Sequence, residues 1–392
     1  MKILVSNIGS TSFKFRLFDL SAGEREVAVG GADRIGGTGG ACEWSVAGGG
    51  PKRVERDFAD HGEAITFVLA RLVTDGALAE AGELDAVAFK AIMGGDWAPV
   101  SLVDDALLAR MTYFNPVAPA HNPPYIAAMR RFRKVLGDVP LVAAFEPGFH
   151  RTNPPRRRYY ACPPAWAEQY GVKRYGFHGA SHRYIATRLA ELMPGVSRVI
   201  SCHLGGSSSL CAIRDGESVA TSMGLSPQSG LPQGSRVGDF DAYGLKLMAT
   251  ETGRDLDDLL EELGDRAGLA ALSGTSGDMR DVERGAAAGD ERCRLAIDLY
   301  VTAIRDYLGA YLVELGGADA IAFTGGIGQG SATVRGRVLE GLSFAGIAMD
   351  AEANEQTSGE GRIDAAGSAV AIWVLPTNEE LIVARQAAEL LR

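Results

Sequence analysis

Polar side chains suited to catalysis stand in short turns beside apolar runs. His121 lies in the proline-bracketed turn PAHNPP, and Glu146 follows the apolar run 140–145. The glycine-rich stretch RYGFHGASH presents His178 and His182 ahead of a predicted helix, and Arg236 lies in the loop GSRVGD. Imidazole, guanidinium and carboxylate groups in such turns favour phosphoryl transfer, where catalysis depends on positioning and charge neutralisation.

Each of these residues also has a structural explanation when it is considered alone. His121 could bond a turn carbonyl, and Glu146 could cap the element that follows it. Arg236 could pair with Asp239 at the surface. Only their combination favours a catalytic role.

A first hairpin is predicted from two strand-like runs, residues 3–5 and 13–18, joined by a turn that contains Gly9. The turn, NIGSTSFK, carries Asn7, Ser10, Ser12 and Lys14. Short hydroxyl residues can satisfy backbone groups of a turn, or they can face a ligand. This stretch alone leaves both explanations open.

The chain contains two internal repeats. The hairpin at 4–12 recurs at 200–208, and the buried-strand pattern LDAVAF at 84–89 recurs as ADAIAF at 318–323, each before a Gly-Gly pair. Helical patterns precede both copies, over 64–78 and through apolar residues at three- and four-residue spacing: Ile297, Val301, Ile304, Leu308, Leu312 and Leu315. The repeats predict a duplicated α/β domain with a ligand cleft between the copies.

Four glycine-containing junctions follow predicted strands, at 9–10, 94–95, 205–206 and 325–328. Glycine allows backbone N–H groups to approach phosphate oxygens closely. Their matching positions in the two halves favour nucleotide binding.

Composition excludes several other classes of protein. The 392-residue chain is 46% hydrophobic, so it is long enough for about two globular domains. Its net charge of -10 disfavours nonspecific binding to nucleic acid or to an anionic membrane surface. Five scattered cysteines suggest free thiols, and no apolar run resembles a signal peptide or membrane span. We therefore expect a cytoplasmic protein.

The motifs together resemble those of acetate kinases, within the superfamily of acetate kinases, sugar kinases and actin. The resemblance covers essentially the whole chain, through NIGSTSFK, PAHNPP, KRYGFHGASH, HLGGSSS, SMGLSPQSGLPQGSRVGD, SGTSGDMRD, FTGGIG and TNEELIVAR. It implies an α/β fold of two duplicated actin-like (ribonuclease H-like) domains. The first would comprise residues 1–149 with the helix 378–392, and the second 150–377, which would bind the nucleotide and form a homodimer.

The resemblance also implies the reaction and the residue roles. ATP with Mg²⁺ would donate its γ-phosphoryl group reversibly to a small carboxylic acid, giving an acyl phosphate. Asn7 and Glu379 would serve the metal. The catalytic residues would be Glu146, His178 and Arg236, with His178 steadying the transferring phosphoryl group. The substrate would meet Lys90, Ile92, Ala120, His121, Phe177 and Pro227. The nucleotide would meet Ser12, Lys14, His203, Leu204, Gly205, Gly206, Asp278, Met279, Arg280, Gly326, Ile327 and Gly328.

Several positions depart from the family pattern. Lys90 replaces an arginine that grips the substrate carboxylate, and lysine lacks the planar fork of arginine. Glu146 replaces an aspartate, Met93 a histidine, and Ala120 a leucine. Gly206 replaces an asparagine, and Gln329-Gly330 replaces a Glu-Asn pair.

These departures leave several hypotheses open. The first is a kinase for a short acid other than acetate, and the second is an ordinary acetate or propionate kinase with tolerated substitutions. A third is a non-catalytic nucleotide-binding or regulatory protein, and a kinase with another phosphoryl donor is a further possibility. Glu379 also has a structural explanation as a first-turn helix acid, because Thr377 and Glu380 read as a capping box.

Overall fold

The computed structural model describes residues 1–9, 11–21 and 23–392. It divides into two compact units. Unit 1 comprises Met1–Gly148 and Asn378–Arg392, and unit 2 comprises Phe149–Thr377. Each unit contains one β-sheet with helices packed against it.

The strands, within the described residues, are β1 (Lys2–Ile8), β2 (Phe13–Asp19), β3 (Arg25–Asp33), β4 (Ala41–Val46), β5 (Lys52–Glu55), β6 (Ala86–Ala91), β7 (Val100–Leu102), β8 (Leu141–Phe145), β9 (Arg198–His203), β10 (Ser209–Arg214), β11 (Glu217–Thr221), β12 (Ala320–Thr324), β13 (Gly361–Arg362) and β14 (Ala371–Val374). The α-helices are α1 (His61–Thr74), α2 (Asp105–Tyr113), α3 (Asn122–Leu136), α4 (Pro155–Arg158), α5 (Pro164–Tyr170), α6 (Gly179–Leu192), α7 (Ala242–Thr252), α8 (Leu256–Asp265), α9 (Gly268–Ser273), α10 (Met279–Ala287), α11 (Glu291–Leu315), α12 (Gly325–Gly330), α13 (Ala332–Leu339), α14 (Ala351–Gln356) and α15 (Glu379–Leu390). Short 3-10 turns cover Ala81–Glu83, Glu146–Thr152 and Leu342–Ala345.

The six strands of the second sheet repeat the order of six strands of the first, which has β4 and β5 in addition. The sheet of unit 1 has the order β5-β4-β3-β2-β1-β6-β8-β7, and that of unit 2 has the order β11-β10-β9-β12-β14-β13. In unit 1, β1 pairs antiparallel with β2 and parallel with β6. In unit 2, β9 pairs antiparallel with β10 and parallel with β12. The predicted duplication and both predicted hairpins are therefore confirmed.

Each sheet buries apolar side chains under its helices. In unit 1, Phe132 of α3 packs edge-on against Phe13 and Phe89, with ring centroids 6.0 and 5.4 Å apart. In unit 2, the predicted stripe of α11 is buried at Ile297, Val301, Ile304, Leu308 and Leu315. Leu312 is partly buried against the same core. The 3.6-residue period of this helix thus predicted its buried face correctly.

Helix α1 differs from its predicted span of 64–78. It begins at His61, because the side chain of Asp60 caps it by accepting from the backbone N–H of Glu63 at 3.0 Å. It ends at Thr74, and Gly76 beyond it takes a positive φ of 78° that ends the helical backbone. Apolar residues 77 and 78 are buried outside the helix.

All five cysteines are free thiols, as the sequence suggested. Burial raises the pKa of the Cys42 thiol to about 11 and raises the pKa of Cys202 further. In the described part of the chain, no helix has the length and apolar character needed to cross a membrane.

Candidate active site

The residues predicted to serve the metal and the acceptor stand at one edge of the sheet in unit 1. Strands β1, β6 and β8 are neighbours and run parallel. Asn7 and Lys90 lie at the carboxyl ends of β1 and β6, and Glu146 follows the last residue of β8. Open α/β sheets bind ligands outside the carboxyl ends of parallel strands.

Lys90 forms an ion pair with Glu379, the first residue of α15. The side chains are 22% and 12% exposed. Burial disfavours the Lys90 ammonium, but Glu379 and then Glu146 outweigh that effect, so the pKa of Lys90 is raised. The cation predicted to hold the substrate thus binds the carboxylate predicted to hold the metal.

Glu380, which the sequence analysis considered only as part of a cap, lies beside the predicted metal site. Its Oε1 accepts a hydrogen bond from Nδ2 of Asn7 at 2.6 Å, and its Oε2 is 3.8 Å from Nε of Arg16. The capping box that the sequence suggested is wrong. Asn378 caps α15 instead, by accepting from the backbone N–H of Leu381 at 3.1 Å.

Tyr125 of α3 adds a buried phenol to this region. Its Oη lies 3.5 Å from Oδ1 of Asn7. Burial raises the pKa of Tyr125 to about 12 against the lowering effect of Lys90. The phenol is therefore a neutral donor near neutral pH.

The first hairpin is closed around Gly9. The Gly9 amide donates to the Ser12 carbonyl at 2.9 Å, and Asn7 pairs with Lys14 across the strands. A Cβ on Gly9 would stand 2.5 Å from Oγ of Ser12, which explains the glycine. Lys14 is exposed, whereas Ser10 lies outside the described residues.

The predicted acceptor residues of unit 1 follow β6 or precede α3. Ile92 is half-buried against the core of unit 1, His121 is half-buried at the start of α3, and Ala120 is exposed. Asn122 is fully buried and fixes this region: its amide nitrogen donates to the carbonyls of Met93 at 2.9 Å and Met111 at 2.8 Å. Its amide oxygen accepts from the Met93 N–H at 3.2 Å.

In unit 2, His178 stands at the start of α6 in a left-handed conformation, with φ of 56°. Such a conformation is uncommon outside glycine. Its Nδ1 lies 2.8 Å from Oγ of Ser209 on β10. His203, at the end of β9, stacks on the His178 ring with centroids 4.2 Å apart, and its Nδ1 lies 2.8 Å from Oγ of Ser181. His203, predicted to meet the nucleotide, therefore lies beside the predicted catalytic histidine.

Arg236 is half-buried among polar groups of unit 2, and the alternative pairing with Asp239 is wrong. Its Nη1 donates to Oε1 of Gln233 at 3.2 Å and to Oγ of Ser207 at 3.3 Å, and it lies 3.5 Å from the Pro227 carbonyl. Burial lowers the pKa of Arg236, although the guanidinium remains charged at neutral pH. Arg236 thus lies beside Pro227, a predicted acceptor contact. Phe177, another predicted acceptor contact of unit 2, is buried.

The predicted nucleotide loop FTGGIG covers the last two residues of β12 and the start of α12. The amides of Ile327 and Gly328 donate to the Leu204 carbonyl at 2.8 and 3.0 Å, so they join this loop to the end of β9. Position 325 requires glycine for two reasons: its φ is positive, at 78°, and a Cβ there would stand 2.5 Å from the same carbonyl oxygen. Gly326 and Gly206 remain exposed, and Gly205 is buried.

The remaining predicted nucleotide residues begin α10. Asp278 caps this helix by accepting from the Arg280 N–H at 2.9 Å. The Arg280 guanidinium bonds the same carboxylate, at 2.9 and 2.6 Å, which lowers the pKa of Asp278. Met279 is buried and Arg280 is exposed.

Sequence reasoning singled out His178 but did not assign roles to several of its neighbours. His182 follows His178 by four residues, the spacing that places two side chains on one face of a helix, so it had a signal. Ser207, Ser209 and Gln233 had none beyond their place in polar turns. Their contacts with His178 and Arg236 depend on the pairing of distant strands and loops.

The donors of unit 1 fit Mg²⁺ chemically. The amide oxygen of Asn7 and the carboxylates of Glu379 and Glu380 are hard oxygen ligands of the type that Mg²⁺ prefers. Across residues 1–9, 11–21 and 23–392, no group of three or more His, Cys, Asp or Glu could hold a metal ion. Mg²⁺ usually takes only one or two protein carboxylates and completes its shell with phosphates and water, so a sparse site fits that ion.

The duplicated sheets and the paired sets of polar turns define an actin-like phosphotransferase with a carboxyl acceptor. A model of the acetokinase family matches residues 2–385, and the chain belongs to that family. The acetate kinase of Shouchella clausii is 38% identical over 397 aligned residues that span 99% of both chains. That of Clostridium botulinum strain Okra is 39% identical, covering 100% of this chain and 99% of its own.

Solved structures show the same architecture. The Porphyromonas gingivalis acetate kinase has a TM-score of 0.90 at 32% identity, with both chains covered fully. A propionate kinase from Francisella tularensis has a TM-score of 0.91 at 29% identity, with 98% of each chain covered. The predicted family and the predicted actin-like fold are therefore confirmed.

Proposed function

We propose that this protein transfers the γ-phosphoryl group of ATP to acetate, propionate or a related short carboxylic acid, reversibly and with Mg²⁺. The observation that carries the proposal is the position of Lys90. This cation stands at the carboxyl end of β6 and is held by Glu379, where a small anion could pair with it. The acetokinase fold supplies the context.

The reaction needs no general base. A short carboxylic acid has a pKa of roughly 4 to 5, by analogy with Glu, so its carboxylate is ionised at neutral pH. One carboxylate oxygen attacks the γ-phosphorus, the bond from phosphorus to the β,γ-bridging oxygen breaks, and ADP leaves with that electron pair. The Arg236 guanidinium and the His178 ring would neutralise charge on the transferring group, and Lys90 would orient the acceptor.

The remaining predicted residues are proposed in the roles that the family resemblance implies. Asn7 and Glu379 would hold Mg²⁺, which when bound neutralises phosphate charge, and Glu146 would act beside the reacting group. The other acceptor contacts are Ile92, Ala120, His121, Phe177 and Pro227. The exposed groups Lys14, Gly206, Arg280 and Gly326 are suited to meet the nucleotide, because they are open to solvent.

Hydroxamate trapping of acyl phosphates tests the proposal. Purified protein with ATP and Mg²⁺ is offered formate, acetate, propionate, butyrate and glycolate in turn. We expect product with at least one acid, and Arg236→Lys should lower kcat about 100-fold, because lysine keeps the charge but lacks the planar set of N–H donors that positions it. Arg362→Lys, an exposed arginine paired with Asp364, is the matched control and should retain activity. No product with any acid, although ATP binds, would overturn the proposal.

We also propose that the protein is a homodimer formed through unit 2. Helix α7 has no buried residue, and with α8 it exposes Tyr243 at 80%, Leu247 at 60% and Leu256 at 56%. An apolar surface of this kind is typical of a protein interface. Light scattering should give twice the 41.3 kDa chain mass, and Leu247→Lys should give the single chain mass. Wild-type protein at 41.3 kDa would contradict the proposal.

A further inference from the structure

Ser209 links two imidazoles in unit 2. Its Oγ lies 2.8 Å from Nδ1 of His178 and 2.8 Å from Nε2 of His182. A serine hydroxyl donates one proton and accepts through its lone pairs. Ser209 therefore donates to one of these rings when it accepts from the other.

The same line of hydrogen bonds continues into the core. Nδ1 of His182 lies 2.9 Å from Oγ of Ser201 on β9. Ser201, His182 and Ser209 are all 0% exposed. Burial, with a further effect of His150 and His203, lowers the pKa of His182 well below its usual range. His182 is therefore a neutral ring with one N–H donor and one acceptor nitrogen.

These contacts permit two proton orders. In the first, His182 donates from Nδ1 to Ser201, Ser209 donates to Nε2 of His182, and His178 donates from Nδ1 to Ser209. In the second, every donor and acceptor in this line is reversed. Both orders engage Nδ1 of His178, so Nε2 is the ring nitrogen that would meet a phosphoryl oxygen. The first order also allows His178 to carry a proton on both nitrogens.

We propose that His182 and Ser209 are positioning residues that act on the phosphoryl group through His178. With Ser201 they form a serine–histidine relay, a line of hydrogen bonds that holds the His178 ring by Nδ1 in either proton order and directs Nε2 to the phosphoryl group. This inference rests on the proposed role of His178 in the reaction.

The backbone at His178 supports a positioning role. Its φ of 56° is a left-handed conformation, which is strained for a residue other than glycine. The first turn of α6 places His182 on the same helix face as His178, with the His182 N–H bonded to the His178 carbonyl at 2.9 Å. The His203 ring stacks on the His178 ring at an interplanar angle of 21° and so restricts the tilt of that ring. Ser209 at Nδ1 and the stacked His203 ring together hold the His178 side chain in one orientation.

Spectroscopy of the ring nitrogens tests the relay directly. The chain has six histidines, so protein labelled with ¹⁵N at histidine gives a simple long-range ¹H–¹⁵N spectrum. Single His178→Gln and His182→Gln variants assign the two rings. We expect Ser209→Ala to shift the ring nitrogen signals of both His178 and His182. It should also lower kcat about 10- to 100-fold, the loss found when a group that orients a metal-binding histidine is removed, with KM for ATP and acid changed less than about 3-fold.

Ser218 provides a matched control. It is also 0% exposed on the same sheet, and its Oγ lies 2.8 Å from Nδ1 of His150. Ser218→Ala should shift the His150 signals, leave those of His178 in place and retain kcat. If Ser209→Ala does not fold, Ser201→Ala at the far end of the relay should produce the same paired shifts and a smaller loss of kcat.

Unshifted His178 signals in Ser209→Ala, or a kcat within about 3-fold of wild type, would overturn the inference. The His178→Gln variant separates this result from failure of the proposed function. Full activity of His178→Gln would remove His178 from the reaction, whereas the spectrum of Ser209→Ala still decides whether the relay exists.

Discussion

At the scale of single residues, the Lys90 ammonium would have to pair both with Glu379 and with the acceptor carboxylate. In the structure its ammonium is bonded to Glu379 and lies in the field of Glu146. An acceptor carboxylate would bring a further negative group to the same cation. Unlike an arginine, a lysine offers no planar fork that could bond two carboxylates side by side.

Removal of the Lys90 charge should weaken acceptor binding selectively. We expect Lys90→Met to raise KM for the acid about 10- to 100-fold, because a hydrogen bond to a charged group contributes about 1.5–3 kcal/mol. The Mg²⁺ concentration for half-maximal activity should fall, since Glu379 would lose its competing cation. Steady-state kinetics with acid and Mg²⁺ varied separately measure both effects.

Two further variants provide a control for this test and a prediction in the opposite direction. Lys134→Met removes an exposed charge of α3 in the same unit and should change neither constant. Lys90→Arg should lower KM for the acid, since the guanidinium fork can bond Glu379 and the acceptor together. An unchanged KM for the acid in Lys90→Met would show that Lys90 does not bind the acceptor.

The sequence predicted individual site residues unevenly. His178 and Arg236 were singled out by their residue types in polar turns, and Lys90 was singled out by the family resemblance. Their partners were not, because Ser209 and Gln233 come from other strands and loops, and a serine in a turn has many ordinary explanations. The Lys90–Glu379 pair joins residues 289 positions apart, a separation that no local pattern can predict.

At the scale of elements, the first hairpin depends on close approach at Gly9. We expect Gly9→Ala to displace the Ser12 hydroxyl, because the new Cβ would stand 2.5 Å from it. The free energy of unfolding should fall by about 1–3 kcal/mol, as in other overpacked sites. If Ser12 meets the nucleotide, KM for ATP should rise as well. Urea denaturation and steady-state kinetics give the two quantities.

Gly50→Ala is the matched control for the hairpin, since no atom lies within 4 Å of a Cβ at that position. Its free energy of unfolding should stay within about 0.5 kcal/mol of wild type. The double variant Gly9→Ala with Ser12→Ala should recover stability but retain the raised KM for ATP. A fully normal Gly9→Ala variant would contradict the assignment of this turn.

Most of the elements were predictable because they have strong periods. The hairpins, the buried strands β6 and β12, and the apolar stripe of α11 all follow from alternation or from three- and four-residue spacing. Element ends were less predictable. The start of α1 was set by the Asp60 cap, and that of α15 by Asn378 rather than by Thr377. Several polar residues near a helix start can each act as the cap, and packing decides among them.

At the scale of the whole molecule, buried histidines should make stability depend on pH. Burial lowers the pKa of His150 to about 4, against about 6.5 in the unfolded chain. Between these values the unfolded state binds a proton that the folded state does not bind. Stability is therefore fully present above about pH 6.5 and is lost as the pH falls toward 4. His182 adds to the effect in the same direction.

The contribution of His150 can be measured with a variant. From pH 7 to pH 5 it should lower the free energy of unfolding by about 2 kcal/mol. His150→Asn will be less stable overall, because it loses the bonds to Ser218 and to the Phe177 carbonyl. Its free energy of unfolding should nevertheless fall about 2 kcal/mol less over this range than that of wild type. Equal pH dependence in urea denaturation would contradict the account.

The central claim is phosphoryl transfer from ATP to a short carboxylate, and ³¹P NMR of the reaction mixture tests it most directly. Protein, ATP, Mg²⁺ and acetate or propionate are observed without any trapping reagent. The account predicts that the ATP signals decline while those of ADP and an acyl phosphate appear, only when the acid is present and far more slowly with Arg236→Lys. Release of inorganic phosphate without an acyl phosphate, or no change in ATP with any short acid, would contradict it.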